Sequence, residues 1–160
     1  MASSDGLTCG LYRTTEPLPG REEKVGENRL VYYHNHSEEG PPVVLTPHAN
    51  HHNFWEFHKK GWLVQDEDWP STLAPLLPEG YYVVNHHIHL QQPEEVLSEG
   101  ALVQLGYDSS GKIILFQAQF AGNTITFPKS GYGFSDGSVL KRLEPVRFTA
   151  PKLDDRESLH

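Results

Sequence analysis

The chain has 160 residues, 37% of them hydrophobic, with 14 Gly, 12 Pro and a formal net charge of −8. That charge excludes a nucleic-acid binder that works by phosphate neutralisation, and no window approaches the roughly 18 apolar residues a membrane span needs. Cys9 stands alone, so no internal disulfide can form, and Met1–Gly6 lacks the basic and apolar regions of a secretory signal; both features point to the cytoplasm.

Helix signals are nearly absent, since no long stretch keeps the three-and-four apolar spacing of an amphipathic helix. Short runs rich in Val, Ile, Tyr and Phe, separated by Gly, Asn, Asp and Pro, predict an all-β chain. Strands are expected near 10–14, 29–34, 42–47 and 53–57, with turns at Ser37-Glu38-Glu39-Gly40 and at Asn50–Asn53. Leu73-x-x-Leu76-x-Pro78 reads as a short helical turn leading into a last strand. The series then recurs, with strands near 80–84, 101–107, 112–120, 123–127 and 145–148, turns at Asp108–Gly111 and Ala121–Asn123, and the closing segment Leu140-x-x-Leu143-x-Pro145.

The recurrence reads as a tandem duplication. Shifted by 70, residues 43–66 fall on 113–136 without a gap: Val43-Val44-Leu45 meets Ile113-Ile114-Leu115, Phe57 meets Phe127, and Gly61-Trp62 meets Gly131-Tyr132. Upstream the shift is 72, and downstream it becomes 67, so that Leu73, Leu76 and Pro78 meet Leu140, Leu143 and Pro145. This leaves Glu67-Asp68-Trp69-Pro70 as a three-residue insertion of the first copy. The expected organisation is two modules, 10–79 and 80–148, between flexible tails 1–9 and 149–160. Units of about 70 residues bury only roughly 60% of their unfolded surface, so the two are expected to pack on each other. Side-chain alternation turns Ile125 and Phe127 inward, and Trp55 and Phe57 likewise, leaving Phe54 outward.

The order of strand, acidic loop, three-strand meander, helical turn and final strand resembles an SH3-like small β-barrel. Glu94-Glu95-Val96-Leu97-Ser98-Glu99-Gly100-Ala101-Leu102-Val103 resembles the acidic loop and diverging turn that enter the second strand of that fold. The resemblance implies two duplicated SH3-like modules packed together. The paired tryptophans and the Pro-Ser-Asn-Tyr signature of peptide-binding SH3 domains are missing, so no polyproline groove is implied. A compact β-sandwich with the two copies sharing sheets is the competing architecture.

Residues the copies do not share are where function is sought. Residues 10–79 carry six Lys/Arg against eleven Asp/Glu, whereas 80–147 carry five against six. The first copy is therefore the acidic one. Its Glu67, Asp68 and Trp69, with Phe54 and the hairpin residues His34 and His36, form a candidate docking surface. A tryptophan flanked by acids is a common interface anchor, and the carboxylates suit a basic protein partner. The favoured reading is a non-enzymatic protein-binding module without a cofactor, in an adaptor, inhibitor or immunity-type role.

The ten histidines support a rival reading. His87-x-His89 on a strand would present two imidazoles to one face, as a metal site requires. Gly80, His87, His89, Glu94 and Gly100 resemble the first cupin motif, and Gly122, Pro128 and Gly131 a fragment of the second. That resemblance implies a metal-dependent enzyme or metal carrier. A site between the copies would draw on His48, His51, His52, His87 and His89 to hold Zn or Fe.

Overall fold

The apolar runs pair into two five-stranded antiparallel sheets, and among the described residues the chain is all-β apart from short 3-10 turns at Trp69–Thr72 and Gly137–Arg142. The structure, a computed structural model, describes residues 7–35, 40–90 and 95–147. The first sheet contains β1 (Gly10–Arg13), β2 (Leu30–His34), β3 (Val43–Leu45), β6 (Trp62–Leu63) and β7 (Ala74–Pro75) in the order β6-β3-β2-β1-β7. Between β3 and β6, β4 (Pro47–His51) and β5 (Phe54–Phe57) form a separate hairpin. The second sheet contains β8 (Gly80–Val84), β11 (Leu102–Tyr107), β12 (Ile113–Gln117), β15 (Tyr132–Phe134) and β16 (Leu143–Pro145) in the order β15-β12-β11-β8-β16. Its separate hairpin is β13 (Gln119–Ala121) with β14 (Thr124–Thr126), and β9 (Ile88–His89) pairs with β10 (Val96–Leu97).

The two sheets list their strands in corresponding order, and their registers coincide. Tyr12 lies across from Val31 on one side and Pro75 on the other; Tyr82 lies across from Val103 and Pro145. Each tyrosine hydroxyl donates to the carbonyl four residues upstream, Tyr12 to Thr8 O at 2.7 Å and Tyr82 to Pro78 O at 2.6 Å.

Strand pairing corrects the sequence alignment at two places. Tyr33 faces Val44 while Leu105 faces Leu115, so β3 matches β12 at a shift of 71, and Val44 is the counterpart of Leu115 rather than of Ile114. Val44 and Leu115 are both fully buried, as one face of a pleated strand demands; a one-residue slip would send each to the wrong face. The extra residue is absorbed where the β4–β5 register breaks between Pro47 and Ala49. At the end of each half, the Pro75 and Pro145 pairings hold the shift at 70, not 67. The insertion is therefore absent: Trp69 corresponds to Val139 and Leu73 to Leu143, all four buried.

Among the described residues neither sheet closes into a barrel, and no strand ladder joins the two sheets. The small barrels expected from the SH3-like layout are thus open sheets with hairpins beside them, and the shared-sheet sandwich is not formed either.

Alternation along β1 and β2 serves two cores at once. Tyr12, Val31 and Tyr33 enter a first core with Leu18, Val25, Val44, Val64, Trp69 and Leu73. Leu11 and Leu30, on the opposite face, enter the second core with Tyr82, Val84, Val103, Leu105, Tyr107, Ile113 and Leu115, and Tyr32, Trp55, Phe57, Leu76 and Leu77 pack against it. Leu30 N also donates to Ser109 O at 2.9 Å, tying β2 to the β11–β12 turn.

Gly61 and Gly131 sit where β6 and β15 begin beside β3 and β12. A Cβ on Gly131 would lie 2.6 Å from Leu115 O, and one on Gly61 would run into Val44 O and the Val43 side chain. Gly61→Ala and Gly131→Ala should each lower stability by about 1–3 kcal/mol, the usual cost of overpacking. Denaturant midpoints measure this; unchanged midpoints in both variants would refute the close approach.

Candidate functional site

The outer face of the second sheet carries a groove flanked by the two hairpins. The β4–β5 hairpin turns through His52 and Asn53, both at positive φ (53° and 72°), as a two-residue mirror-image turn requires. The turn is clasped by the second sheet. Gln104, only 2% exposed, donates from Nε2 to His52 O at 2.9 Å. Its Oε1 accepts from Asn53 Nδ2 at 2.9 Å, and Asn53 N in turn donates to Asn50 Oδ1 at 3.0 Å. A buried amide with both ends paired fixes the hairpin in one place.

Trp55 reaches across from the same hairpin. Its indole N–H donates to Tyr107 O at 2.7 Å, and its backbone N–H donates to the Glu79 carboxylate at 3.1 Å. Tyr107 Oη donates to Leu77 O at 2.7 Å, so the segment that connects the two sheets is held from several sides. Burial pushes the Glu79 carboxyl up to about 7, against the lowering effect of the Trp55 N–H, and burial also pushes the Tyr107 phenol up.

Beyond this clasp the groove opens to a cavity of about 870 Å³ lined by Asn50, His51, His52, Tyr81, Ile125, Phe127 and Lys129 among others. Its floor is aromatic. The Tyr81 ring lies 5.2 Å from Phe127 and 6.2 Å from Phe54, and Tyr81 is 37% exposed. On the β13–β14 hairpin, Phe120 and Ile125 face each other across the strands, 71% and 50% exposed. Ile125 is thus turned outward, against the alternation expected for it. Its counterpart Trp55 has the second core to enter, and Ile125 has no such neighbour. Large exposed apolar side chains gathered near one groove are a common mark of a contact site.

The expected site residues are dispersed. Trp69 is 2% exposed and its indole N–H donates to Glu16 O at 2.9 Å. It fills the first core in the place Val139 takes in the second, which corrects its reading as a docking anchor. Glu67 and Asp68 are exposed beside it, while Asp66 accepts from the backbone N–H groups of Asp68 and Trp69 at 2.9 Å. Phe54 packs against Tyr81, its ring 6.2 Å away, but does not itself line the groove. His34 is an exposed residue at the end of β2, and His36 lies outside the described residues. The sequence pattern did not single out the groove residues Tyr81, Ile125, Phe127 and Lys129 or the neighbouring Phe120; the available signal was that Phe120 and Tyr81 stand, by strand position, where the first half has Asn50 and Leu11.

The histidines expected to share a metal are also separated. His48 pairs with His58 at 4.5 Å between rings and His87 with His89 at 5.1 Å, whereas His51 and His52 line the groove. Among the described residues no group of three or more His, Cys, Asp or Glu is placed to hold a metal ion. Glu94 of the cupin-like motif lies outside the described residues. Among the described residues, too, no helix is long and apolar enough to cross a membrane. No protein-family model, no curated protein and no solved structure matches the chain.

The clasp gives two expectations. Gln104→Ala removes a buried amide that bonds His52 O and Asn53 Nδ2, leaving the latter only its 3.3 Å bond to Pro128 O, and should cost about 1–3 kcal/mol in chemical denaturation; a cost near zero would show the clasp to be idle. Glu79 has a folded pKa of about 7 against 4.5 when free, so the native state holds the proton more tightly. Stability from this group is fully present below pH 4.5 and is lost as pH rises through 7. Glu79→Gln should flatten the stability–pH profile across that interval, as thermal melts in a buffer series would read.

Proposed function

We propose that the chain is a non-enzymatic protein-binding protein built from two fused SH3-like β-modules, with its docking surface on the outer face of the second. The common strand order, the coincident registers and the repeated tyrosine–carbonyl bond support the two-module reading. The observation that carries the functional reading is a group of apolar side chains at the groove and on the hairpin beside it: Tyr81, Ile125 and Phe127 line the groove, Phe54 packs on Tyr81, and Phe120 lies across from Ile125. Aromatic side chains of this sort supply large contact area at small entropic cost, and Asn50, His51, His52 and Lys129 give the polar rim such interfaces carry. An adaptor, inhibitor or immunity-type role accords with this arrangement. The exposed carboxylates Glu67 and Asp68 on the first module offer a secondary contact for basic side chains of the same partner.

The surface is tested by placing a photo-crosslinking phenylalanine derivative at Phe120 or at Glu67 of the full chain in an extract of its native host. Phe120 should give discrete protein adducts that Tyr81→Ala diminishes. Adducts from Glu67 with none from Phe120 would move the docking surface to the first module and overturn this assignment.

A further inference from the structure

A second cavity, of about 370 Å³, lies where the two halves of the chain meet. That volume is at the lower end of the range of small-molecule sites, roughly 300–1,000 Å³. Arg13 and Asn28 reach it from the first half, and Ser110, Lys112 and Ser135 from the second. Its apolar lining includes Leu76, Phe134 and Leu140, half-buried side chains that pack on the second core. Both charged side chains that line it are cations, in a chain whose net charge is −8, and among the described residues no carboxylate lines it. A cleft lined by one sign of charge raises the local concentration of ions of the other sign.

Arg13, half-buried at the end of β1, is held at both ends of its side chain. The stem lies on Gly111, where a Cβ would come within 2.8 Å of Arg13 Cγ and 3.1 Å of its Cδ. Gly111 is at φ +82° in the turn that its N–H closes on Asp108 O, so glycine serves both the turn and the close approach. The head is steered by Asn28, whose Oδ1 accepts from Arg13 Nη1 at 3.2 Å. A guanidinium has five N–H donors, and among the described residues this is the one side-chain hydrogen bond Arg13 makes. The Asp108 carboxylate is turned onto its own loop instead, where Oδ1 accepts from Ser110 N, Ser110 Oγ and Lys112 N. By strand pairing Arg13 stands where the second sheet has Val83, so its charge is no part of the plan common to the two halves.

We propose that this cavity binds a small organic monocarboxylate, its carboxylate on the Arg13 guanidinium and its apolar body against Leu76, Phe134 and Leu140. The fork of a fixed guanidinium matches the two oxygens of a carboxylate and so gives direction as well as charge. A doubly charged phosphate is disfavoured by the neighbouring surface. Lys112, Phe134 and Ser135 also line an adjoining cavity that carries Glu95 and Asp136, so the second cation shares its field with two acids. Arg13 is the positioned charge, and it balances a single negative one. The site goes beyond the docking groove, with which it shares no lining residue among those described.

Titration of the isotope-labelled full chain with phenylacetate, followed by amide NMR, tests this. Saturable one-to-one shifts are expected at Gly111, Lys112 and Ser135, while Tyr81 and Thr126 of the docking groove stay in place. On the same parent chain the uncharged phenethyl alcohol should bind at least about tenfold more weakly, and phenyl phosphate no more tightly than phenylacetate. Arg13→Gln, which removes the charge, should raise the dissociation constant for phenylacetate by about tenfold or more. Lys112→Gln, at an exposed residue, should raise it by about two- to fivefold. Equal binding of the alcohol, tighter binding of phenyl phosphate, shifts centred on the docking groove, or no saturation by about 20 mM overturns the proposal. Unchanged affinity in a folded Arg13→Gln chain does so too, and the alcohol comparison decides where that substitution disturbs the fold.

Discussion

Strands β1 and β2 bury side chains on both of their faces, and the rest of the molecule is arranged around that fact. Tyr12, Val31 and Tyr33 belong to one core, while Leu11 and Leu30, alternating with them, belong to the next. A unit of about 70 residues on its own has too little interior to be comfortably stable, and sharing a sheet face between cores raises the buried fraction without lengthening the chain. The connecting segment is fastened for the same reason. Tyr107, Tyr82 and the Trp55 backbone bind Leu77, Pro78 and Glu79 in succession. A joint held by neighbouring residues in this way does not act as a free linker, and the Gln104 clasp adds a hydrogen-bonded point of fixation on the other side.

The arrangement is directional. Each core can be closed by its own bulky residues or by a neighbour, and the chain uses both solutions, Trp69 in the first core and Leu11 with Leu30 in the second. Tyr81, Ile125 and Phe120 are exposed; Leu11 and Trp55, in the places of Tyr81 and Ile125, join the second core, whereas Asn50, in the place of Phe120, is itself exposed.

Much of the fold was legible from sequence because pleated strands in a paired sheet write their burial into alternate residues. β1, β2, β8 and β11 lie within a residue or two of the expected runs. β6, β9, β10 and β15, at two or three residues each, are too short to show a period and went unread. Residue matching placed β3 one position off because Val43, Val44 and Leu45 are near-equivalent to Ile113, Ile114 and Leu115 in either register; only the opposing strand distinguishes the faces. The final shift failed for a related reason. Leu-x-x-Leu-x-Pro matches itself attractively, but the segment is split in the folded chain, with a 3-10 turn ending at Arg142 and a strand beginning at Leu143. Closure into a barrel, by contrast, depends on which strands pair at the edges, and that is not written in any one strand.

The site was less legible than the fold, and the cause lies in what a difference between two halves of like strand order means. A residue present in only one copy can serve an outside partner or the contact between the copies themselves. Trp55 and Phe54 are of the second kind: their counterparts are Ile125 and Thr124, and both first-copy rings lie against the second half of the chain. Trp69 is a third case, filling a core that has no neighbour to fill it. When the internal contact and the self-filled core are accounted for, the asymmetry left over is Phe120 and Tyr81, where the first copy has Asn50 and Leu11. The first half looked richer in candidate anchors because it carries Trp55 and Phe54, which lie against the second half. The half that is held is the half with apolar surface still uncovered.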